Sequence, residues 1–269
     1  MNKVWFIGAG PGDPELLTLA GARRLEGCKT VYAFPPFDET FAERLAGKAI
    51  CNPYGYRFSE LVQILEGQLS EGDVAFLVPG DLTFFCPFQA LVEVFGKKAE
   101  VLPGVGTVNA AAAAMKRTLN LSGSCSRTVI VSTRTLEEAE GAPRLEELAG
   151  PGVTLVIYMN HHPLPELVAR LRSGYGCNVP IALVHRLGFP GEQLVRGHLD
   201  DIEAEAKKYD FFSEPGGKGR SALTLVIVGE TLTAPAGSDW WDDRSRDVRK
   251  VLEENLQDGM NRDIQDIQD

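Results

Sequence analysis

The sequence predicts an α/β protein built as two domains. Three observations carry this reading. Short apolar runs alternate with helical stretches through the first half. Three of those runs end in turns that contain glycine. A small polar segment, residues 120–126, then precedes a second half with more strands per helix.

The elements follow in order. Residues 4–7 read as a buried strand, and Gly8-Ala9-Gly10-Pro11-Gly12-Asp13-Pro14 as the turn after it. Asp13 suits a helix N-cap and Pro14 the first helical position, so a helix is expected through Leu16, Leu17, Ala20 and Leu25 to Gly27. Residues 30–34 give a second strand, stopped by Pro35-Pro36, and residues 40–46 a helix. Leu61, Ile64, Leu65 and Leu69 share one side of a strongly amphipathic helix over 59–69. Residues 74–78 form a third buried strand ending in Pro79-Gly80-Asp81, and a helix covers 88–95. A short strand at 100–102 ends in Pro103-Gly104-Val105-Gly106-Thr107, and an alanine-rich helix follows over 108–115. In an open α/β sheet such turns gather at the carboxyl edge of the strands, where ligands bind.

Beyond the polar break, strands are expected at 128–131, 153–159, 181–184 and 222–228, with an alternating stretch at 192–199 and one helix at 164–172. This balance implies a mixed sheet. The boundaries are thus 1–119, 120–232 and a tail, 233–269, which carries Trp240-Trp241 and about half of the net charge of −10. The tail should hold one helix near 249–256 and fray after it.

Composition narrows the function. The negative charge argues against broad nucleic-acid binding. The five cysteines (Cys28, Cys51, Cys86, Cys125, Cys177) are scattered, without a C-x-x-C pair or a zinc-ligand spacing, which suits free thiols in a reducing cytoplasm. The chain opens on a strand, with no leader pattern and no apolar run of membrane-spanning length. No nucleophile elbow, H-E-x-x-H or Walker A motif occurs, so no catalytic nucleophile and no metal site is expected. Adjacent side chains diverge on a strand or a helix, so His161 and His162 are expected in a solvated loop without a shared ion. The first glycine turn lacks the third glycine of a dinucleotide fingerprint. Asp13 stands there, and a carboxylate at that point would repel a diphosphate. The turn suits a neutral or cationic ligand instead.

Gly8-Ala9-Gly10-Pro11-Gly12-Asp13 with the Leu-Leu-Thr-Leu stretch at 16–19 resembles the opening of the tetrapyrrole methylases, and the likeness runs from Met1 to about Leu232. The resemblance implies two α/β domains with a cofactor cleft between them, and S-adenosylmethionine (SAM) as methyl donor. It places Pro11, then Gly80, Asp81 and Leu82, then Gly106 and Thr107 in three cofactor loops. It adds Tyr158 and Met159, Ala182 and Leu183, and Ala222 and Leu223 as cofactor-binding positions. Within the family, Arg117-Thr118-Leu119 after the alanine helix and Ser126-Arg127-Thr128-Val129-Ile130 resemble the branch that methylates C11 of precorrin-4. Residues 82–87 resemble C20-methylating relatives instead. The implied reaction is in-line methyl transfer to a ring carbon of a tetrapyrrole rich in carboxylates. Arg117 and Arg186, with Arg127 and Arg134 as further candidates, would meet those carboxylates, and Phe37 and Phe85 would offer stacking surface. A homodimer is also implied.

Overall fold

The computed structural model describes residues 1–209 and 223–265. The first body is a five-stranded, wholly parallel sheet of β1 (Val4–Gly8), β2 (Thr30–Tyr32), β3 (Ala49–Cys51), β4 (Val74–Val78) and β5 (Ala99–Leu102), in the order β3-β2-β4-β1-β5. The central strands are apolar along their whole length because helices cover both faces. On one side α1 (Leu19–Gly27), α2 (Phe37–Thr40) and α3 (Ala42–Leu45) bury Leu25, Phe37, Phe41 and Leu45 against Ile7, Val31 and Leu77. On the other, α4 (Phe58–Gln68) and α5 (Gln89–Phe95) bury Leu61, Leu65, Leu91 and Phe95 around Phe6, Tyr32 and Phe76. Tyr32 and Phe76 stack with centroids 4.5 Å apart and planes within 8°.

The expected first helix is two pieces. Asp13 caps a 3₁₀ turn over Pro14–Leu16 by accepting from the Glu15 N–H at 2.9 Å. Leu17 is extended, and Thr18 starts α1 as a second cap, accepting from Gly21. Two cap-forming residues, Asp13 and Thr18, each satisfy their own orphan N–H groups, so one helix becomes two. The edge strand β3, half exposed and without an alternating pattern, carried no sequence signal.

The second body is mixed, as expected: β6 (Arg127–Ser132), β7 (Val153–Tyr158), β8 (Pro180–His185), β9 (Gln193–His198) and β10 (Thr224–Val228) in the order β6-β7-β10-β8-β9. Only β6 and β7 pair in parallel. One face packs on α9 (Leu164–Tyr175) through Leu155, Ile157, Leu183 and Val226. The opposite face, with Val156, Ala182, Val184 and Ile227, packs on α6 (Thr107–Met115), the helix that leaves the first sheet. Short helices α7 (Thr133–Glu138), α8 (Leu145–Leu148) and α10 (Ile202–Ala206) complete this body. The tail forms one long helix, α11 (Asp239–Gln265), and extends the expected 249–256 segment at both ends. Among the described residues no helix is long and apolar enough to cross a membrane.

Candidate active site in the cleft

The three glycine turns follow β4, β1 and β5, which are neighbours in the first sheet. The chain leaves β1 toward β2 on one side and β4 toward β5 on the other, which opens a crevice at their carboxyl ends. The turns touch one another. Gly10 and Gly80 exchange main-chain hydrogen bonds of 3.0 and 2.8 Å. A Cβ on Gly104 would overlap the Gly80 carbonyl oxygen and lie 2.7 Å from Gly8 Cα. Gly80 has φ +64°, a conformation that a side chain would strain.

Beside these turns lies a cavity of about 450 Å³ with walls from both bodies. Pro11, Phe34, Phe37, Tyr54 and Thr107 come from the first; Tyr158, Met159, Leu187, Phe189, Leu223 and Thr224 from the second. Phe84 and Phe85 stand at the mouth, more than a third exposed, with their rings 6.4 and 5.4 Å from Tyr158. Three of the wall residues, Phe85, Met159 and Leu223, hold left-handed backbone (φ +56°, +45° and +71°). Such conformations cost energy for non-glycine residues and gather at functional sites. Tyr158 ties the bodies together: its hydroxyl accepts the Val108 N–H at the start of α6, 3.1 Å away. Burial first, and then the Asp81 carboxylate, push its phenol up to about 12 against that hydrogen bond, so it stays neutral.

Of the expected cofactor positions, Pro11, Thr107, Tyr158, Met159 and Leu223 line the cavity. Gly80, Asp81, Leu82 and Gly106 lie in the second and third turns, next to wall residues Pro79 and Thr107. Asp81 accepts from the Thr83 N–H and hydroxyl at 2.9 and 3.0 Å, and its carboxylate lies 4.0 Å from the point where a Gly106 Cβ would stand. Ala182 is buried under α6, whereas the Leu183 side chain packs on the α9 face, away from α6. Ala222 lies outside the described residues.

Phe37 is at once core and cavity wall, and Phe85 belongs to the mouth. The arginines divide. Arg134 lines the cavity. Arg186 stands at its margin, its main chain bonded to Leu223 and its guanidinium 5.8 Å over the Phe189 ring. Arg117 instead holds the Leu232 and Ala234 carbonyls at 2.7 and 3.0 Å, and Arg127 the Pro151 carbonyl. Neither of the last two lines the cavity.

Sequence reading passed over Tyr54 and Phe189 as wall residues, because their meeting depends on packing between segments far apart in the chain. The histidine pair also departs from expectation. Met159 turns the chain left-handed after β7, so neither strand nor helix periodicity applies, and both imidazoles meet the single Glu137 carboxylate.

These features define an α/β ligand-binding protein whose site is a largely apolar cleft at a topological switch point, shared by two bodies. The model of the Tetrapyrrole (Corrin/Porphyrin) Methylases matches residues 3–203. The precorrin-4 C(11)-methyltransferase of Pseudomonas aeruginosa is 29% identical over 241 residues, covering 88% of this chain and 93% of that one. The cobalt-precorrin-4 C(11)-methyltransferase of Methanocaldococcus jannaschii is 31% identical over 242 residues, covering 86% and 88%. Among solved structures, a cobalt precorrin-4 methyltransferase superposes with a TM-score of 0.74 at 21% identity, over 86% of this chain and 96% of that one. The uroporphyrin-III C-methyltransferase of Thermus thermophilus, solved with S-adenosylhomocysteine, superposes with a TM-score of 0.63 at 26% identity, over 86% and 99%. The chain belongs to the tetrapyrrole methylases and is a SAM-dependent methyltransferase.

The site suits that cofactor. Aromatic faces and the Asp81 carboxylate favour a sulfonium cation. Among the described residues Arg134 is the one cation in the wall, and Asp13 caps a 3₁₀ turn, so no cradle for a diphosphate forms.

Proposed function

We propose that this chain methylates a ring carbon of a precorrin or cobalt-precorrin in cobalamin biosynthesis, with C11 of precorrin-4 as the position. The observation that carries the reading is the cavity itself. It is aromatic-walled, joined to three touching glycine turns, and open at a mouth where Phe84 and Phe85 offer flat apolar surface. The relatives' C11 chemistry, at 29–31% identity over most of the chain, supports the position.

SAM supplies an electrophilic methyl group. The residues of this chain align donor and acceptor and keep water out, which is the main requirement of in-line transfer between two bound molecules. Phe37 and Tyr158 shape the enclosed wall; Phe84 and Phe85 carry the macrocycle at the mouth. Arg134, and Arg186 at the margin, meet the ring's carboxylates. Tyr158, held neutral, orients the α6 end without contributing charge.

The test is mass spectrometry of products after incubation with SAM and a panel of precorrins, followed by NMR of the methylated carbon. A single methyl on C11 of precorrin-4 is expected. Turnover of uroporphyrinogen III alone, or methylation at C20, would replace this assignment. We also propose a homodimer in which α11 takes part. Its Trp241, Val248 and Leu252, spaced seven and four residues apart on one side of the helix, are all more than half exposed. Light scattering should give twice the monomer mass, and Trp241→Glu/Leu252→Glu should halve it.

A further inference from the structure

Next to the cleft, at the carboxyl ends of the parallel pair β6 and β7, stands a cluster that methyl transfer does not use. The Glu137 carboxylate on α7 faces two imidazoles. Its Oε2 is 2.8 Å from His161 Nε2, and its Oε1 is 2.7 Å from His162 Nε2. The rings lie 4.2 Å apart, inclined by 34°. One ligand atom from each of the three residues lies within 4.8 Å of the others. Ligand atoms at roughly 2.0–2.2 Å from one ion lie no more than about 4.4 Å apart, so atoms at the far limit of this spread draw closer by a few tenths of an ångström around an ion.

The second ring nitrogens face further oxygens. His162 Nδ1 is 3.1 Å from Glu166 Oε1, and His161 Nδ1 is 2.9 Å from Thr133 Oγ1. An ionised carboxylate only accepts hydrogen bonds, and a neutral imidazole carries one ring proton. Facing a carboxylate at each nitrogen, His162 holds either two ring protons or one proton and a cation at Nε2. A histidine whose far nitrogen is held by a carboxylate while its near nitrogen points at other donors is the arrangement of histidines that bind metal. His162 is buried at 6% exposure, whereas Glu137 and His161 reach solvent, so an ion has a fixed inner ligand and an open outer side. Arg170 contacts both carboxylates, Glu137 Oε1 and Glu166 Oε1, at 3.0 Å. It orients them and offsets one negative charge. That balance disfavours hard ions bound by carboxylate charge and leaves the imidazoles as the deciding ligands.

We propose that Glu137, His161 and His162 bind one divalent transition-metal ion of the imidazole-preferring class, such as zinc, cobalt or nickel. The ion ties α7 to the loop after β7. The tie adjoins the cofactor wall. Met159 lies two residues before His161, Thr133 Oγ1 accepts the His161 N–H at 3.1 Å, and the next residue, Arg134, lines the cavity. This assignment is independent of the substrate proposed above.

The experiment uses the tag-free full chain, stripped with chelator and titrated with zinc by calorimetry, while imidazole ¹⁵N resonances are followed by NMR. The expected result is one ion per chain, with coordination shifts at Nε2 of His161 and His162 and none at His198. His162→Ala should lower the affinity about 100-fold or more, and Glu166→Gln about 10–100-fold through loss of the outer carboxylate. Cobalt should give visible bands of a four- or five-coordinate site. Absence of stoichiometric binding, or binding that the His161→Ala/His162→Ala variant leaves intact, would overturn the proposal. So would a His162 ring that stays doubly protonated and unmoved in excess zinc. The resonance test needs no variant, so it decides the matter even if a substitution prevents folding.

Discussion

Asp81 and Tyr158 do two jobs each at the residue scale. Asp81 closes its own turn through Thr83 and sets negative charge beside the end of α6. Asp81→Ala should leave the circular dichroism spectrum unchanged and weaken S-adenosylhomocysteine binding in calorimetry. Unchanged affinity would reduce Asp81 to a turn former. Tyr158→Phe removes the acceptor for the Val108 N–H without opening a cavity. It should cost about 0.5–1.5 kcal/mol, read as a fall in melting temperature, and it should lower cofactor affinity because α6 loses its anchor at the wall. Asp81 was visible in the sequence as an acid beside a glycine turn after a buried strand, Tyr158 only through family likeness. Nothing in their spacing says that residue 158 meets residue 108. The Glu137–His161–His162 cluster was hidden for a different reason: a left-handed Met159 breaks the periodicity on which side-chain direction is read.

Legibility at the element scale follows packing. β4, α4 and α6 stand within a residue of expectation, because each buries a full apolar stripe or run that local sequence displays. Residues without such a stripe, in β3, α7, α8 and α10, were missed. The first helix was misjudged because Thr18 competes with Asp13 as a cap. The three turns, by contrast, were readable as glycine positions, although their mutual contact was not. Gly104→Ala tests that contact. A methyl group there overlaps the Gly80 carbonyl and the Gly8 main chain, neither of which can yield as a side chain would. The variant should lose roughly 1–3 kcal/mol or more in denaturant titration, the range for overpacking in a rigid site, and cofactor binding should fall with it.

The whole molecule should be sensitive to alkali. Burial raises the Cys28 thiol from 9.0 to about 11, and the Tyr32 and Tyr158 phenols from 10.0 to about 12. Unfolded chains lose these protons first, so stability is intact below pH 9. It should decline as pH rises from about 9 to 12, by up to roughly 1.4 kcal/mol per pH unit for each group in its window. Urea midpoints measured across that range check this, and a flat profile would contradict it. Binding S-adenosylhomocysteine should shift every midpoint upward.

The two bodies are also exchanged at their contact. The first lends α6 to the second sheet, where Val108, Ala111 and Met115 complete a core. The second returns Phe189, which enters the first core, meets Phe37 edge-on at 5.1 Å and fills the space that the absent side chain of Gly12 leaves. Each body is therefore a poor independent unit. A chain cut at residue 120 would strand α6 with an uncovered apolar face and leave the first core short of an aromatic ring. Neither fragment should be recoverable alone, whereas co-expression should restore one particle. The intact protein should melt in a single calorimetric transition. For anyone exchanging specificity between relatives, the residue 120 boundary is the wrong seam. A graft that respects this architecture moves α6 with the second body and the 186–192 hairpin with the first, so that each transplanted core arrives already closed.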